Sequence, residues 1–171
     1  MTSSSVFDII PETLDHAAAI ESLHQSVFGP GRFSRTAFRV REGCPADERF
    51  SFVALKDSEF VGSVRLNAVL IGQAEAFLLG PLCVAKHVQN KGIGKALVRH
   101  ALEAVRDLSP LPVILVGDAP YYAPLGFETA PLMIKMPGPV DYARLLIVWP
   151  EGCERAHYNG IMRGIRKDNP A

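Results

Sequence analysis

The sequence predicts a single α+β domain in which strands outnumber helices. Three observations carry that expectation. The chain has 171 residues, 48% of them apolar, enough to close one sizeable core. Short apolar runs of strand length, bounded by Gly, Pro, Asp or Ser, recur along it. Helical periods are fewer, and one of them opens on two glycines, Gly92 and Gly94.

The elements follow in order. "VFDII" is a first strand ended by Pro11. Leu14, Ala17, Ile20, Leu23 and Val27 then recur at helical steps, with Thr13 or Asp15 as the cap and "GPG" at 29–31 as the stop. Ser34 is placed to cap a short second helix, "RTAFRVREG". "FSFVALKDSEFVGSVRLNAVL" divides into two strands joined at Asp57-Ser58, a hairpin. "AEAFLLGPLCVA" is a fourth strand, broken at Gly80-Pro81 because proline cannot donate to a ladder.

The glycine stretch opens a helix to about Leu108, with Ile93, Leu97, Ala101, Leu102 and Val105 as its apolar stripe. "VILVG" at 113–117 has no polar interruption, as a strand buried on both faces requires. A turn or short helix at "APYYAPLGF" and strands at "LMIKM" and "ARLLIVW" complete the set. From about residue 151 the periodicity weakens, and a partly loose tail is expected. No linker or repeat divides the chain.

Composition removes several function classes. Lys+Arg and Asp+Glu are equal at 18 each, without the basic excess of a nucleic-acid or anionic-membrane binder. No apolar run has the length of a membrane span, and "MTSSSVFDII" lacks the build of a signal peptide. The cysteines, Cys44, Cys83 and Cys153, are far apart with no CxxC, which argues against zinc or disulfides and for a reducing cytoplasm. No metal site is expected.

Glycine early in a helix costs about 1 kcal/mol relative to alanine, so Gly92 and Gly94 need a reason, and close approach of a phosphate is one. A P-loop is excluded: Gln89 stands where its first glycine belongs and Ala96 replaces its hydroxyl. A dinucleotide fingerprint is excluded by Leu97 at the third glycine.

Gln89-Asn90-Lys91-Gly92-Ile93-Gly94 matches Q/R-x-x-G-x-G/A, the pyrophosphate signature of the GCN5-related N-acetyltransferase (GNAT) superfamily, which the chain resembles. Tyr122-Ala123-Pro124-Leu125-Gly126-Phe127 is similar to the Y-x-x-x-G-F segment of that family. The run from Gly117 and Asp118 into Tyr121 and Tyr122 resembles the bacterial YhbS-like predicted acetyltransferases in particular.

The resemblance implies a mixed, mostly antiparallel sheet, splayed between strands 4 and 5 and flanked by helices. It implies acetyl-CoA as cosubstrate, with its pyrophosphate on the N–H groups of residues 89–94 and with charge added by Lys91 and Lys95. Its amide arm would pair with the backbone of Leu82, Cys83 and Val84 like an added strand. Tyr122 would protonate the departing thiolate, with Tyr121 a packed neighbour.

The acceptor is expected to be a small amine or peptide, attacking directly in a ternary complex. Glu75, Asp118 and His87 are candidate bases, and none is singled out. Cys83 as a nucleophile has no evident base beside it. Arg32, Arg35, Arg39 and Arg41 read as a solvated helix face, with contact to an acidic substrate as the other option. A homodimer stays open. The rival to an enzyme is a coenzyme-binding module of the same fold with weak or lost catalysis.

Overall fold

The computed structural model describes residues 6–166. Strand β1 (Asp8–Pro11) leads through a single 3-10 turn into helix α1 (Ala17–Phe28), stopped by Gly29, and into the short α2 (Thr36–Arg41). Arg35, not Ser34, is the N-cap of α2, and the Ser34 hydroxyl instead donates to the Gly31 carbonyl at 2.7 Å. Strands β2 (Phe52–Lys56) and β3 (Glu59–Ile71) form the expected hairpin. Asp57 and Ser58 both have positive φ, at 51° and 65°, the backbone of a tight two-residue turn matching strand twist.

Strand β4 (Ala74–Val84), helix α3 (Ile93–Leu108) and strand β5 (Val113–Val116) follow. A single helical turn, α4 (Ala119–Tyr122), precedes the short β6 (Glu128–Thr129) and β7 (Ile134–Lys135), then β8 (Leu145–Val148) and β9 (Gly160–Gly164). The main sheet has the order β1-β2-β3-β4-β5-β8-β6, and its one parallel pair within that path is β4–β5. This is the mixed, mostly antiparallel α+β sheet that the sequence predicts.

Three elements differ from expectation. "LMIKM" supplies only two strand residues, and β6 was not foreseen. The chain from 151 to 166 is not loose. It ends in β9, which pairs with Val69–Ile71 of β3 and parallel to β7, and it buries Tyr158 and Met162. The last five residues lie outside the described residues.

The core is divided by the sheet. Phe77 and Leu79 of β4, with Val113 and Leu115 of β5, pack beneath the Leu97, Val98, Ala101 and Val105 face of α3. Their neighbours Ala76, Leu78 and Ile114 point to the opposite side, with Val69, Ile71, Ile134 and Met162. That alternation is the period of two expected of strands covered on both faces.

Candidate active site

Strands β4 and β5 pair only at Phe77–Val113 and Leu78–Ile114, then part. The cause is a bulge in β4. Leu79 faces Leu66 and Leu82 faces Val64, so Gly80 and Pro81 together oppose Arg65. One extra residue also shifts the alternation: Leu82 and Val84 join Leu79 on the α3 side, whereas Cys83 turns toward α1.

The hydrogen bond from the Ala85 N–H to the Val61 carbonyl fixes which backbone groups are free. Groups two residues apart point the same way, so Cys83 also faces β3, and Leu82 and Val84 turn theirs into the splay. Of the predicted trio, Cys83 is therefore corrected: its backbone belongs to the β3 ladder. Its thiol is buried against the Leu23 carbonyl at 3.7 Å, and burial pushes it up to about 12. A nucleophile needs the thiolate, so the buried thiol adds to the case against that role, for which the sequence offered no base.

The glycine turn has two different reasons for its glycines. Gly92, the N-cap of α3, has φ 84°, and a Cβ there would meet nothing within 4 Å. Conformation demands glycine at that position. Asn90, with φ 62°, takes the left-handed region that asparagine tolerates. Gly94 is demanded by space, because a Cβ would stand 2.6 Å from the Tyr121 hydroxyl. The obstruction expected of a phosphate is in this structure made by a tyrosine.

Among the described residues, no backbone N–H from 90 to 95 donates to another group. Ala96 is the first taken, by the Gly92 carbonyl at 3.0 Å. These free donors, at the positive end of a four-turn helix, form an anion cradle. The Gln89 side chain closes the turn, donating to the Val84 carbonyl at 3.1 Å. Ile93 is buried and offers the cradle its N–H alone, Lys91 is exposed, and the Lys95 ammonium lies 5.2 Å over the Tyr121 ring.

The splay opens into a cavity of about 750 Å³ bordered by Leu82, Gly117, Asp118, Tyr121, Tyr122 and α2. The Tyr122 ring stands edge-on to Tyr121 and Phe127, at 4.8 and 5.6 Å between centroids, and presses on Gly117, where a Cβ would collide with it. Burial, then Tyr121 and Asp118, push the Tyr122 phenol well above the usual tyrosine range. It stays protonated at neutral pH and can only give a proton.

Of the candidate bases, Asp118 alone borders this cavity, with its carboxylate 3.2 Å from Arg144. Glu75 is exposed near the start of β4, in the electrostatic range of Tyr158, and His87 is exposed in the turn after β4.

The arginines are not one solvated face. Arg32 is buried and paired with Glu21, while the Arg41 guanidinium lies between Gly80 and Phe38. Gly117 and Arg41 both border the cavity, and sequence reasoning gave neither a separate place there: Gly117 entered only as part of the resembling segment, Arg41 only among four arginines. The Gly-Asp pair before the tyrosines was the available signal for Gly117. His24 was not foreseen either, although it shares the apolar stripe of α1 with Ile20.

Among the described residues, no helix is long and apolar enough to cross a membrane, and no cluster of His, Cys, Asp or Glu could hold a metal ion.

The profile of the acetyltransferase (GNAT) domain matches residues 47–129. A GNAT family acetyltransferase from Brucella melitensis, solved in complex with acetyl-CoA, is similar at 30% identity and TM-score 0.60, over 72% of this chain and 84% of that one. The GNAT family N-acetyltransferase YhbS from Escherichia coli, solved with CoA, shares the fold at TM-score 0.77 and 20% identity, over 93% and 89%. Arabidopsis thaliana Naa50, solved with the bisubstrate analogue CoA-Ac-MVNAL, shares it at TM-score 0.60 and 16% identity, over 82% and 96%. No curated protein matches the sequence.

Proposed function

Since the chain belongs to the GNAT acetyltransferase family, we propose that it transfers an acetyl group from acetyl-CoA to the amine of an acceptor by direct attack in a ternary complex. One observation carries this reading. The turn with free N–H groups before α3 abuts the Tyr121 hydroxyl at Gly94, and Tyr121, Leu82 of the open β4 edge and Tyr122 border the same cavity where β4 and β5 part.

Each part has a chemical task. The N–H groups of residues 90–95 hold the pyrophosphate, with Lys91 and Lys95 adding screened charge. The Leu82 and Val84 backbone groups pair with the amide arm as a further strand would. The Leu82 N–H, the first free donor beyond the bulge, polarises the thioester carbonyl as oxygen charge develops. Tyr122 gives its proton to the departing sulfur, and Gly117 makes room for the ring that does so. Asp118, at the rim, accepts the proton that the acceptor ammonium must lose, directly or through a water.

The test is calorimetry with acetyl-CoA, followed by thiol release against amines, polyamines, amino acids and peptides. Acetyl-CoA binding with turnover of a subset of acceptors is the expected result. Binding without turnover of any would favour the catalytically silent coenzyme-binding module. No binding by folded protein would sink both.

A further inference from the structure

Arg41, the last residue of α2, is anchored at the splay without a counter-charge. Its Nη2 donates to the Leu79 carbonyl at 3.3 Å and would stand 2.5 Å from a Cβ on Gly80. Its Nε is out of solvent with no partner, and no carboxylate lies within ion-pair distance among the described residues. The other buried or half-buried arginines nearby differ: Arg32 is held by Glu21, and Arg65 by both oxygens of Glu12 at 2.6 to 3.1 Å.

Arg41 also stands where two cavities meet. Along with Phe38 and Pro81 it borders both the splay cavity and a second one of about 530 Å³ beneath α1 and α2. That second cavity is bordered by four arginines, Arg32, Arg39, Arg41 and Arg65, against Glu21 and Glu42. His24 adds no charge, since burial, and then Arg65, push its imidazole down to about 4. A guanidinium that borders both cavities, has no carboxylate partner and lies beside the free Leu82 N–H is placed to take a planar anion.

Resting on the acetyl-transfer reading above, we propose that Arg41 selects acceptors that carry a carboxylate close to the reacting amine, that is, free amino acids. The guanidinium lies against Gly80, two residues before the Leu82 N–H that holds the thioester carbonyl, so an acceptor whose carboxylate sits on Arg41 brings its neighbouring amine to that carbonyl. Simple amines and the N-termini of peptides lack the anion. Burial also pushes the Arg41 guanidinium down to about 10, which still leaves it charged at neutral pH.

The experiment compares amino acids with the amines left by their decarboxylation, and follows both with wild-type, Arg41→Met and Arg41→Lys proteins. In the wild type, kcat/KM should favour at least one amino acid over its amine by about 100-fold. Arg41→Met, which keeps the aliphatic stem, should bring that ratio near one by losing the amino acid, with acetyl-CoA affinity unchanged. Arg41→Lys should fall between, as charge without the planar fork.

A second readout needs no turnover: N-acetyl amino acids and N-acetyl amines are titrated into CoA-saturated protein. Wild-type protein should bind only the former, and Arg41→Met neither. Amines used as well as amino acids, or equal losses on both arms in Arg41→Met, would overturn the selection while leaving acetyl transfer intact. Failure of every N-acetyl amino acid to bind overturns it whatever the activity. Absence of acetyl-CoA binding would overturn the acetyl-transfer reading, and this one with it.

Discussion

Two adjacent tyrosines at the splay have different surroundings and should have different effects. Tyr122 packs on Gly117 and Phe127 and keeps its proton through burial, whereas the Tyr121 hydroxyl sits against Gly94 at the start of α3. Tyr122→Phe deletes a proton donor while preserving ring packing, so kcat should fall about 10²-fold with acetyl-CoA affinity little changed. Tyr121→Phe should leave kcat within about twofold, since its hydroxyl serves no proton transfer in the proposed step. The opposite ranking in steady-state kinetics would mean that Tyr121 is the donor.

His24 gives a second residue-scale expectation, this one for stability. Its imidazole is neutral in the folded protein, pushed down to about 4, but titrates near 6.5 when unfolded. The unfolded chain therefore binds the extra proton first. Stability is held above about pH 6.5 and lost as pH falls toward 4, by about 2 kcal/mol after allowing for water in the adjoining cavity. Urea midpoints between pH 7.5 and 4.5 should fall less steeply for His24→Leu than for wild type. Parallel slopes would show that carboxylates elsewhere dominate acid unfolding.

At the scale of elements, the turn into α3 links the coenzyme cradle to the α4 turn through one contact. An alanine Cβ at Gly94 would stand 2.6 Å from the Tyr121 oxygen, too close to persist. Gly94→Ala alone should cost about 1–2 kcal/mol, as overpacking does. In a Tyr121→Phe background the oxygen is gone, and the same change should cost less than half of that. Additive losses in the double-mutant cycle would show that the glycine answers to something else.

This contact also explains what could be read from the chain and what could not. The Asp57-Ser58 hairpin, the extent of α3 and the break at Gly80-Pro81 depend on neighbours a few residues away, so local pattern displays them. That Gly94 answers to Tyr121 depends on α4 folding back onto α3. The shift of Cys83 toward α1 follows from a two-for-one register that Gly80-Pro81 hints at but does not count. Arg41 looked like Arg39 because α2 is too short to show a face by periodicity. Its placement is set by the β4 bulge it packs on.

Over the whole molecule, the least legible element is β9, and it bears on the site from a distance. Its residues alternate weakly, and only Met162 of the strand is buried, so the segment carries no strong strand signal. Its order comes from pairing with Val69–Ile71, on the edge of β3 that β2 leaves uncovered, at a separation no local pattern reveals. The pairing brings Gly164 against the Val40 carbonyl and the Cys44 sulfur, where a Cβ would collide with both. Val40 precedes Arg41 in α2, so β9 is a backstop for the helix that sets the guanidinium in the splay. Gly164→Ala must move the strand or the helix, at about 1–3 kcal/mol of stability. If α2 gives, the acceptor KM should rise several-fold while acetyl-CoA affinity, held by the turn before α3, stays at the wild-type value. Calorimetry and initial rates on the same preparation would separate the two. Equal losses in both would show that β9 supports the sheet as a whole, and unchanged values in both would show that the strand yields and α2 does not.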